Sequence, residues 1–252
     1  MPGSMHLFVT ELRDFYQTPL GAVARRLIRR QIRNLWPNVH GEHIVGLGYT
    51  TPYLLTFHQR TPVAALMPAH QGVTLWPHEG PYKAALVDEL NLPVADSAVE
   101  RVLVVHALEM SEQGDEMLQE AWRILKPEGE LLLIVPNRTG PWANRENTPF
   151  GHGRPWSRSQ LERLLAETGF HIKQWQPALF MPPSHRSLVI RTAIAFERFG
   201  TRVWPAFSGV HIVLARKQVY RGLPVREKAR FPTRLIPVPS AICLRQRRRK
   251  KR

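Results

Sequence analysis

A histidine and a glutamate three positions apart have the residue types needed for acid–base chemistry. His106 and Glu109 directly follow the apolar run Val102–Val105. A neutral imidazole titrates near physiological pH and can accept a proton from a nucleophile, so His106 is a candidate general base. The same pattern also suits a histidine packed at the end of a strand and a glutamate at the start of a helix. Both interpretations stay open.

A turn with two glycines is the second candidate site. Gly46 and Gly48 lie at the end of the apolar run His43–Leu47, and Thr51 and Pro52 follow them. A glycine permits a tight turn or a close approach of a ligand to the backbone. Threonine suits a helix N-cap and proline the first helical position. An ordinary strand-to-helix turn explains these residues equally well.

Other polar residues are weaker candidates. Asn137 follows the apolar run Leu131–Val135 and either contacts a substrate or makes a turn. His185 either holds an anion or is simply solvated. The eleven histidines are scattered, without acidic or cysteine partners at ligand spacing, so we expect no metal site.

The elements that must position these residues alternate between short apolar runs and helix-length segments. Strands are predicted at His43–Leu47, Val63–Leu66, Ala84–Val87, Val102–Val105, Leu131–Val135, Ile172–Trp175 and His211–Ala215. Helices are predicted at Pro52–Gln59, Met110–Leu125, Ser157–Thr168 and Ser187–Phe199. The run Leu131–Val135 has no polar alternation, which indicates a strand covered on both faces. We therefore predict an α/β fold with a doubly wound, mostly parallel seven-stranded sheet.

Basic charge is concentrated at the two ends of the chain. The 252 residues include 35 Lys and Arg against 20 Asp and Glu, a net charge of +15. Residues 221–252 hold 12 of the basic residues, one acid and four prolines, which predicts an extended, disordered tail. Residues 1–37 are predicted to form a basic amphipathic helix. The domain between them spans 38–220, with an insertion at 178–208.

Composition excludes several classes of protein. Apolar residues make up 43% of the chain and charged residues 22%, which excludes a wholly disordered protein. No uncharged apolar run approaches the roughly 18 residues of a membrane-spanning helix. The N-terminus lacks a signal-peptide pattern, and a single cysteine, Cys243, excludes an intramolecular disulfide. We therefore expect a cytoplasmic protein.

Motifs between residues 88 and 137 resemble those of the class I S-adenosylmethionine (SAM)-dependent methyltransferases, particularly the branch that acts on small molecules and lipids. That family has an acidic residue, an LPF-x-D-x-S-F-D motif, a strand, HALEH, and then E-x-x-R-V-L-K-P-G-G. Here Asp88 is followed by Leu92-Pro-Val-Ala-Asp-Ser-Ala-Val-Glu100, His106-Ala-Leu-Glu109 and Glu120-Ala-Trp-Arg-Ile-Leu-Lys-Pro-Glu-Gly129. The resemblance covers about residues 40–175, and residues 211–218 resemble the family's last, antiparallel strand.

The resemblance implies SAM as cofactor. Its methionine end would lie at the turn that contains Gly46, Gly48 and Tyr49, and its adenosine at Asp88 and Glu89. Methyl transfer to a small or amphipathic acceptor is the implied function, with His106 facing the acceptor and Glu109, Asn137 and His185 as substrate contacts. The alternative is a catalytically inactive scaffold that binds protein or RNA.

The chain departs from the family at two of three polar anchors. The family's first motif reads acid-x-Gly-x-Gly-x-Gly. Here Gly46 takes the acidic position, Gly48 keeps the first glycine, and Thr50 and Pro52 replace the next two. Met67 lies at the position of the acid that binds the ribose hydroxyls, and a thioether is a poor hydrogen-bond acceptor.

The basic segments also suggest a partner. We expect non-specific contact with a polyanion, either RNA or an anionic membrane surface, unless the tail only increases solubility. The residues predicted to make this contact are Arg25, Arg26, Arg29, Arg30 and Arg33, together with the tail at 245–252.

Overall fold

A mixed sheet of seven strands forms the centre of the fold. The computed structural model describes residues 7–219, so the predicted tail at 221–252 lies outside the described residues. The strands are β1 (Ile44–Gly48), β2 (Val63–Pro68), β3 (Ala84–Val87), β4 (Val99–Val105), β5 (Leu125–Pro136), β6 (Phe170–Ala178) and β7 (Val210–Lys217). Their order is β3-β2-β1-β4-β5-β7-β6, and only β7 runs antiparallel to its neighbours. The predicted doubly wound fold is confirmed.

Seven α-helices accompany the sheet in the described part of the chain. They are α1 (Val9–Gln17), α2 (Pro19–Leu35), α3 (Thr51–Leu54), α4 (Gly114–Ile124), α5 (Arg158–Glu167), α6 (Ser187–Arg191) and α7 (Ala193–Val203). Short 3₁₀ turns occur at Pro149–Gly151 and Pro205–Phe207. None of the helices within residues 7–219 combines the length and the apolar composition that a bilayer crossing requires.

Alternate residues of the central strands face two different helical layers. Leu131 and Leu133 pack in one core with buried residues of α4 and α5. Leu132 and Ile134 pack in a second core with buried residues of α1, α2 and α3. This arrangement explains why β5 is apolar at every position of its central part.

A tight corner between α1 and α2 fixes the position of the N-terminal helices. The Thr18 hydroxyl accepts a hydrogen bond from the Gly21 N–H (3.0 Å) and donates one to the Phe15 carbonyl (2.7 Å). A Cβ at Gly21 would lie 2.0 Å from the Phe15 oxygen, so the corner requires glycine. The Val9 N–H donates to the Gln71 carbonyl (2.7 Å), which ties α1 to the connection between β2 and β3. The sequence predicted one helix in residues 1–37, whereas the structure has two.

Three predicted helices differ in extent from the observed ones. The segment predicted as Pro52–Gln59 is α-helical only in α3 and continues as turns. The segment predicted to begin at Met110 becomes helical at Gly114. The segment predicted as Ser187–Phe199 is divided at Thr192, whose hydroxyl donates to the Leu188 carbonyl (2.8 Å). Side-chain bonding to the backbone in this way competes with helix continuation.

The connection between β2 and β3 contains no helix, although residues 69–83 are all described. Gly72, Pro77, Gly80 and Pro81 interrupt this segment, and each disfavours helical backbone. The segment therefore follows the surface as turns, and this leaves room for α1 to pack against the carboxyl ends of the strands.

A buried carboxyl group anchors α7 to the chain that follows β6. Glu197 accepts a hydrogen bond from the Phe180 N–H (2.7 Å), and the neighbouring backbone N–H groups of Leu179 and Met181 also stabilise its charged form. Burial nevertheless outweighs these contacts and raises the pKa of Glu197 to about 7.

This raised pKa predicts that the protein becomes less stable as pH increases. Between about pH 4.5 and pH 7 the unfolded chain has lost the Glu197 proton while the folded protein still holds it, so the free energy of unfolding falls over this range. Glu197→Gln keeps an acceptor for the Phe180 N–H without the charge. In denaturant titrations at several pH values, the free energy of unfolding of the wild type should fall by on the order of 2 kcal/mol over this range, and that of Glu197→Gln should not. Glu162→Gln, at an exposed position of α5, is the control and should leave the slope unchanged; equal slopes for all three proteins would contradict the prediction.

Candidate functional site

The glycine turn after β1 is packed against its own chain. Gly48 has a φ of +85°, and a Cβ there would lie 2.3 Å from the Val105 carbonyl oxygen. A Cβ at Gly46 would lie 2.1 Å from the Thr50 hydroxyl oxygen and 2.8 Å from Leu54. Both positions therefore require glycine for the turn itself, whether or not a ligand approaches.

His106 is the centre of a buried hydrogen-bonded chain of four side chains. Its Nδ1 lies 3.1 Å from Glu109 Oε1, and its Nε2 lies 2.8 Å from the Tyr16 hydroxyl. Tyr53 donates its hydroxyl proton to the Tyr16 oxygen (2.9 Å). Because Tyr16 accepts the Tyr53 proton, we assign Tyr16 as the donor to Nε2 of His106, and this assignment places the imidazole proton on Nδ1, facing Glu109. The two residues with candidate acid–base chemistry are thus in direct contact.

Burial determines the protonation state of Tyr16 in this hydrogen-bonded chain of side chains. His106 is fully buried, with a φ of +52°, and the Phe150 ring lies 4.9 Å from its own ring. Burial also raises the pKa of Tyr16 well above its ordinary value, so Tyr16 stays protonated at physiological pH. Tyr16 can therefore take part in proton transfer only by accepting one proton as it donates another to His106. A tyrosinate base is excluded.

Tyr16 separates His106 from a cavity of about 590 Å³. The cavity lies between α1, α2, the turn after β1 and the connection between β2 and β3. Tyr16, Tyr49 and Thr51 lie on its wall, and Tyr49 stacks on Tyr16 with ring centroids 5.8 Å apart. Arg13, Arg25 and Glu79 also line it, so its wall carries charges of both signs, and Arg13 is paired with Asp14 (3.4 Å). A ligand in this cavity would meet Tyr16 before it could reach His106.

A second, smaller cavity of about 240 Å³ lies where β3 and β4 end. Glu89 lines it and pairs with His70, Nδ1 to Oε2, at 3.3 Å. Met110 and Ser111 form another part of its wall. Asp88 is exposed, and its Oδ1 accepts a hydrogen bond from the Leu90 N–H (3.0 Å).

Three other predicted site residues do not lie around His106. Met67 is fully buried in the core between the sheet and the N-terminal helices. Asn137 is buried, donates to the carbonyls of Ala206 and Ser208, and lines a separate cavity of about 750 Å³ near the start of β7. His185 is exposed just before α6. The contacts of Asn137 are those of a turn-forming residue.

Sequence reasoning missed Tyr16 and Gln71. Gln71 Nε2 donates to the His106 carbonyl (2.5 Å), and Tyr16 holds the imidazole. The one available signal was the Thr18-Pro19 helix start after Phe15 and Tyr16, which implies an earlier helix with aromatic residues at its end. Nothing in the sequence placed that helix against His106, 90 positions away from Tyr16.

Comparisons with known proteins point to one family. Residues 45–133 match the family described as "Methyltransferase domain". The protein named "Probable S-adenosylmethionine-dependent methyltransferase" from Mycolicibacterium smegmatis is 29% identical over 85 residues, which are 33% of this chain and 33% of that protein. The chain thus matches about a third of the length of this curated relative.

Solved structures establish the fold. A SAM-dependent methyltransferase from Thermotoga maritima is 17% identical, with a TM-score of 0.58 over 84% of this chain and 97% of that chain. The cyclase SpnF is 20% identical, with a TM-score of 0.53 over 78% of this chain and 82% of that chain.

The buried chain predicts that Tyr16→Phe destabilises the protein. The substitution removes one hydroxyl and leaves both His106 Nε2 and the Tyr53 hydroxyl without their partner, at a cost of about 1–3 kcal/mol. Chemical denaturation of the wild type and the variant measures the difference. Tyr82→Phe, at an exposed tyrosine, is the matched control. If the two variants were equally stable, the hydrogen-bonded chain would not contribute to folding.

Proposed function

We propose that this chain is a class I SAM-dependent methyltransferase that transfers a methyl group from SAM to a small or amphipathic acceptor. The proposal is supported by the match of residues 45–133 to the methyltransferase domain family and by the fold. SAM is the cofactor of the family, and when bound it supplies an electrophilic methyl group. The residues of this chain then have to bind the cofactor, orient the acceptor and move a proton.

Unsatisfied polar atoms around His106 carry the proposal. The buried side-chain atoms without a hydrogen-bond partner among the described residues include Thr50 Oγ1, Gln71 Oε1, Glu109 Oε2 and Ser111 Oγ. A buried polar atom without a partner costs about 1–3 kcal/mol, so such atoms normally meet a ligand or water. Gln71 Oε1 and Glu109 Oε2 are acceptors, which suit the hydroxyl, amino and ammonium groups of SAM.

Two carboxylates at the end of β3 suit the adenosine part of the cofactor. Glu89 lines the smaller cavity, and Asp88 precedes it on the exposed side. Met67 provides no acid for the ribose, because it is a buried thioether. Ribose binding is therefore assigned to Glu89, which lines the smaller cavity.

Tyr16, His106 and Glu109 are suited to remove a proton from the acceptor. Tyr16 lines the larger cavity and is bonded to His106. As an acceptor proton moves to the Tyr16 oxygen, the Tyr16 proton moves to Nε2 of His106. Glu109 then stabilises the imidazolium through Nδ1. The larger cavity also combines tyrosine rings with charged side chains of both signs, Arg25 and Glu79 among them, a lining that suits an amphipathic acceptor.

The alternative is a scaffold without catalytic activity. It is favoured by the arginines of α2, since Arg25, Arg26, Arg30 and Arg33 form no salt bridge within residues 7–219 and remain available to a polyanion. The fold alone does not establish methyl transfer, because SpnF, a cyclase, has a similar structure.

Calorimetry with S-adenosylhomocysteine tests the proposal. This product binds at the cofactor site without reacting, and we expect the wild-type protein to bind it. Glu89→Gln should weaken binding about tenfold or more, because a hydrogen bond to a charged group contributes about 1.5–3 kcal/mol. Asp88→Ala tests the second carboxylate of the site in the same assay.

Asp96→Ala is the matched control for both variants, since Asp96 is an exposed acid paired with Arg123. It should leave binding unchanged. Failure of the wild-type protein to bind S-adenosylhomocysteine at millimolar concentration would rule out methyl transfer and leave the scaffold function.

A further inference from the structure

We propose that the surface formed by α6, α7 and the turn after α7 docks on an anionic membrane. This α6–α7 patch consists of the apolar residues Leu188, Ile194, Phe199, Val203, Trp204 and Phe207 and three arginines. The inference concerns a surface outside the candidate site, and it does not depend on methyl transfer.

The patch concentrates apolar side chains that are exposed to solvent. Of the fourteen large apolar side chains exposed in residues 7–219, seven lie between positions 188 and 207. Leu188 is 74% exposed, Trp204 62% and Phe199 61%. Ile194, Phe199 and Val203 line one surface groove together with the three arginines, and the Trp204 and Phe207 rings lie 6.5 Å apart. Scattered exposed apolar residues are normal, but grouped ones mark an interaction surface.

The charge of the patch indicates what it contacts. Arg191, Arg198 and Arg202 are exposed among these apolar residues. Glu197 is the one acid between positions 185 and 207, and it is bonded to the backbone N–H of Phe180. The patch therefore presents three positive charges to the exterior and no exposed carboxylate. A partner with a negative surface is complementary to it.

The combination of residue types favours a lipid surface over a nucleic acid or a protein. Tryptophan and phenylalanine partition into the boundary between headgroups and acyl chains, while arginine reaches anionic headgroups. Each arginine near such a surface strengthens binding about fivefold. In addition α6 packs against α2, the helix that carries the arginine-rich sequence.

Vesicle flotation with the full-length chain tests this proposal. We expect binding to vesicles of phosphatidylcholine and phosphatidylglycerol, and much weaker binding to phosphatidylcholine alone. The double variant Phe199→Ser/Trp204→Ser should weaken binding at least about tenfold, because two aromatic side chains no longer leave water. Leu75→Ser/Tyr82→Ser is the matched control, since these residues are 64% and 65% exposed outside the patch. It should bind as the wild type does.

The charge contribution is tested by Arg198→Gln/Arg202→Gln. Loss of two charges should weaken binding to the anionic vesicles about tenfold to thirtyfold and leave binding to neutral vesicles unchanged. Added salt should weaken the wild type more than this variant.

Fluorescence identifies the side chain that enters the lipid. Trp204 is the most exposed of the seven tryptophans, and lipids brominated on the acyl chain should quench it. Trp204→Phe keeps an aromatic ring and should remove most of this quenching while flotation persists.

Several results would overturn the proposal. These are no flotation of the wild type, flotation unaffected by Phe199→Ser/Trp204→Ser, or quenching unaffected by Trp204→Phe.

Flotation that is lost only when 221–252 is deleted would assign the contact to the tail. A concentration-dependent dimer that Phe199→Ser dissociates would assign the patch to a second copy of the chain. Binding to RNA that the patch variants abolish would assign it to a nucleic acid. Circular dichroism establishes that each variant is folded.

Discussion

The contact between Tyr16 and His106 joins the N-terminal helices to the central strand of the sheet. His106 ends the fourth strand in a left-handed conformation that favours glycine, and three side chains plus the Gln71 amide surround it. Since every group in this cluster is buried, each needs its partner, and the position of one fixes the others. The corner at Thr18 positions α1, and α1 places Tyr16 between the larger cavity and the imidazole. The corner therefore affects the access of a ligand to His106.

Most of the fold followed from hydrophobic patterning, because strands buried on both faces have an unmistakable composition. The uninterrupted apolar run in β5 implied two helical layers, and both are present. Hydrophobic patterning predicted the helix boundaries and the connections between elements less well. The break between α6 and α7 at Thr192 and the end of α3 at Leu54 are marked by no glycine or proline. Boundaries of this kind leave little trace in the sequence.

The candidate site was predictable in its strand-end residues and not in the residues contributed by other elements. His106 and Glu109 are three positions apart in the sequence, so their contact is local, and histidine and glutamate side chains can hydrogen-bond to each other. Tyr16 reaches the same place from a helix 90 positions earlier, and only tertiary packing brings it there. Met67 shows the reverse case: its alignment with a ligand-binding position was clear from the sequence, but its side chain is enclosed in the core.

The space beside Gly46 has a consequence for how the first glycine motif is interpreted. Family members have an acid at this position and glycine four residues later, whereas this chain has glycine first and Thr50 later. Because the Thr50 hydroxyl lies where a side chain at position 46 would begin, the two positions share a single volume. These two departures from the motif therefore occupy one space, which the Thr50 hydroxyl oxygen enters from the other side of the turn. Glycine at position 46 and threonine at position 50 depend on each other sterically, whereas the proline at position 52 is a separate departure from the motif.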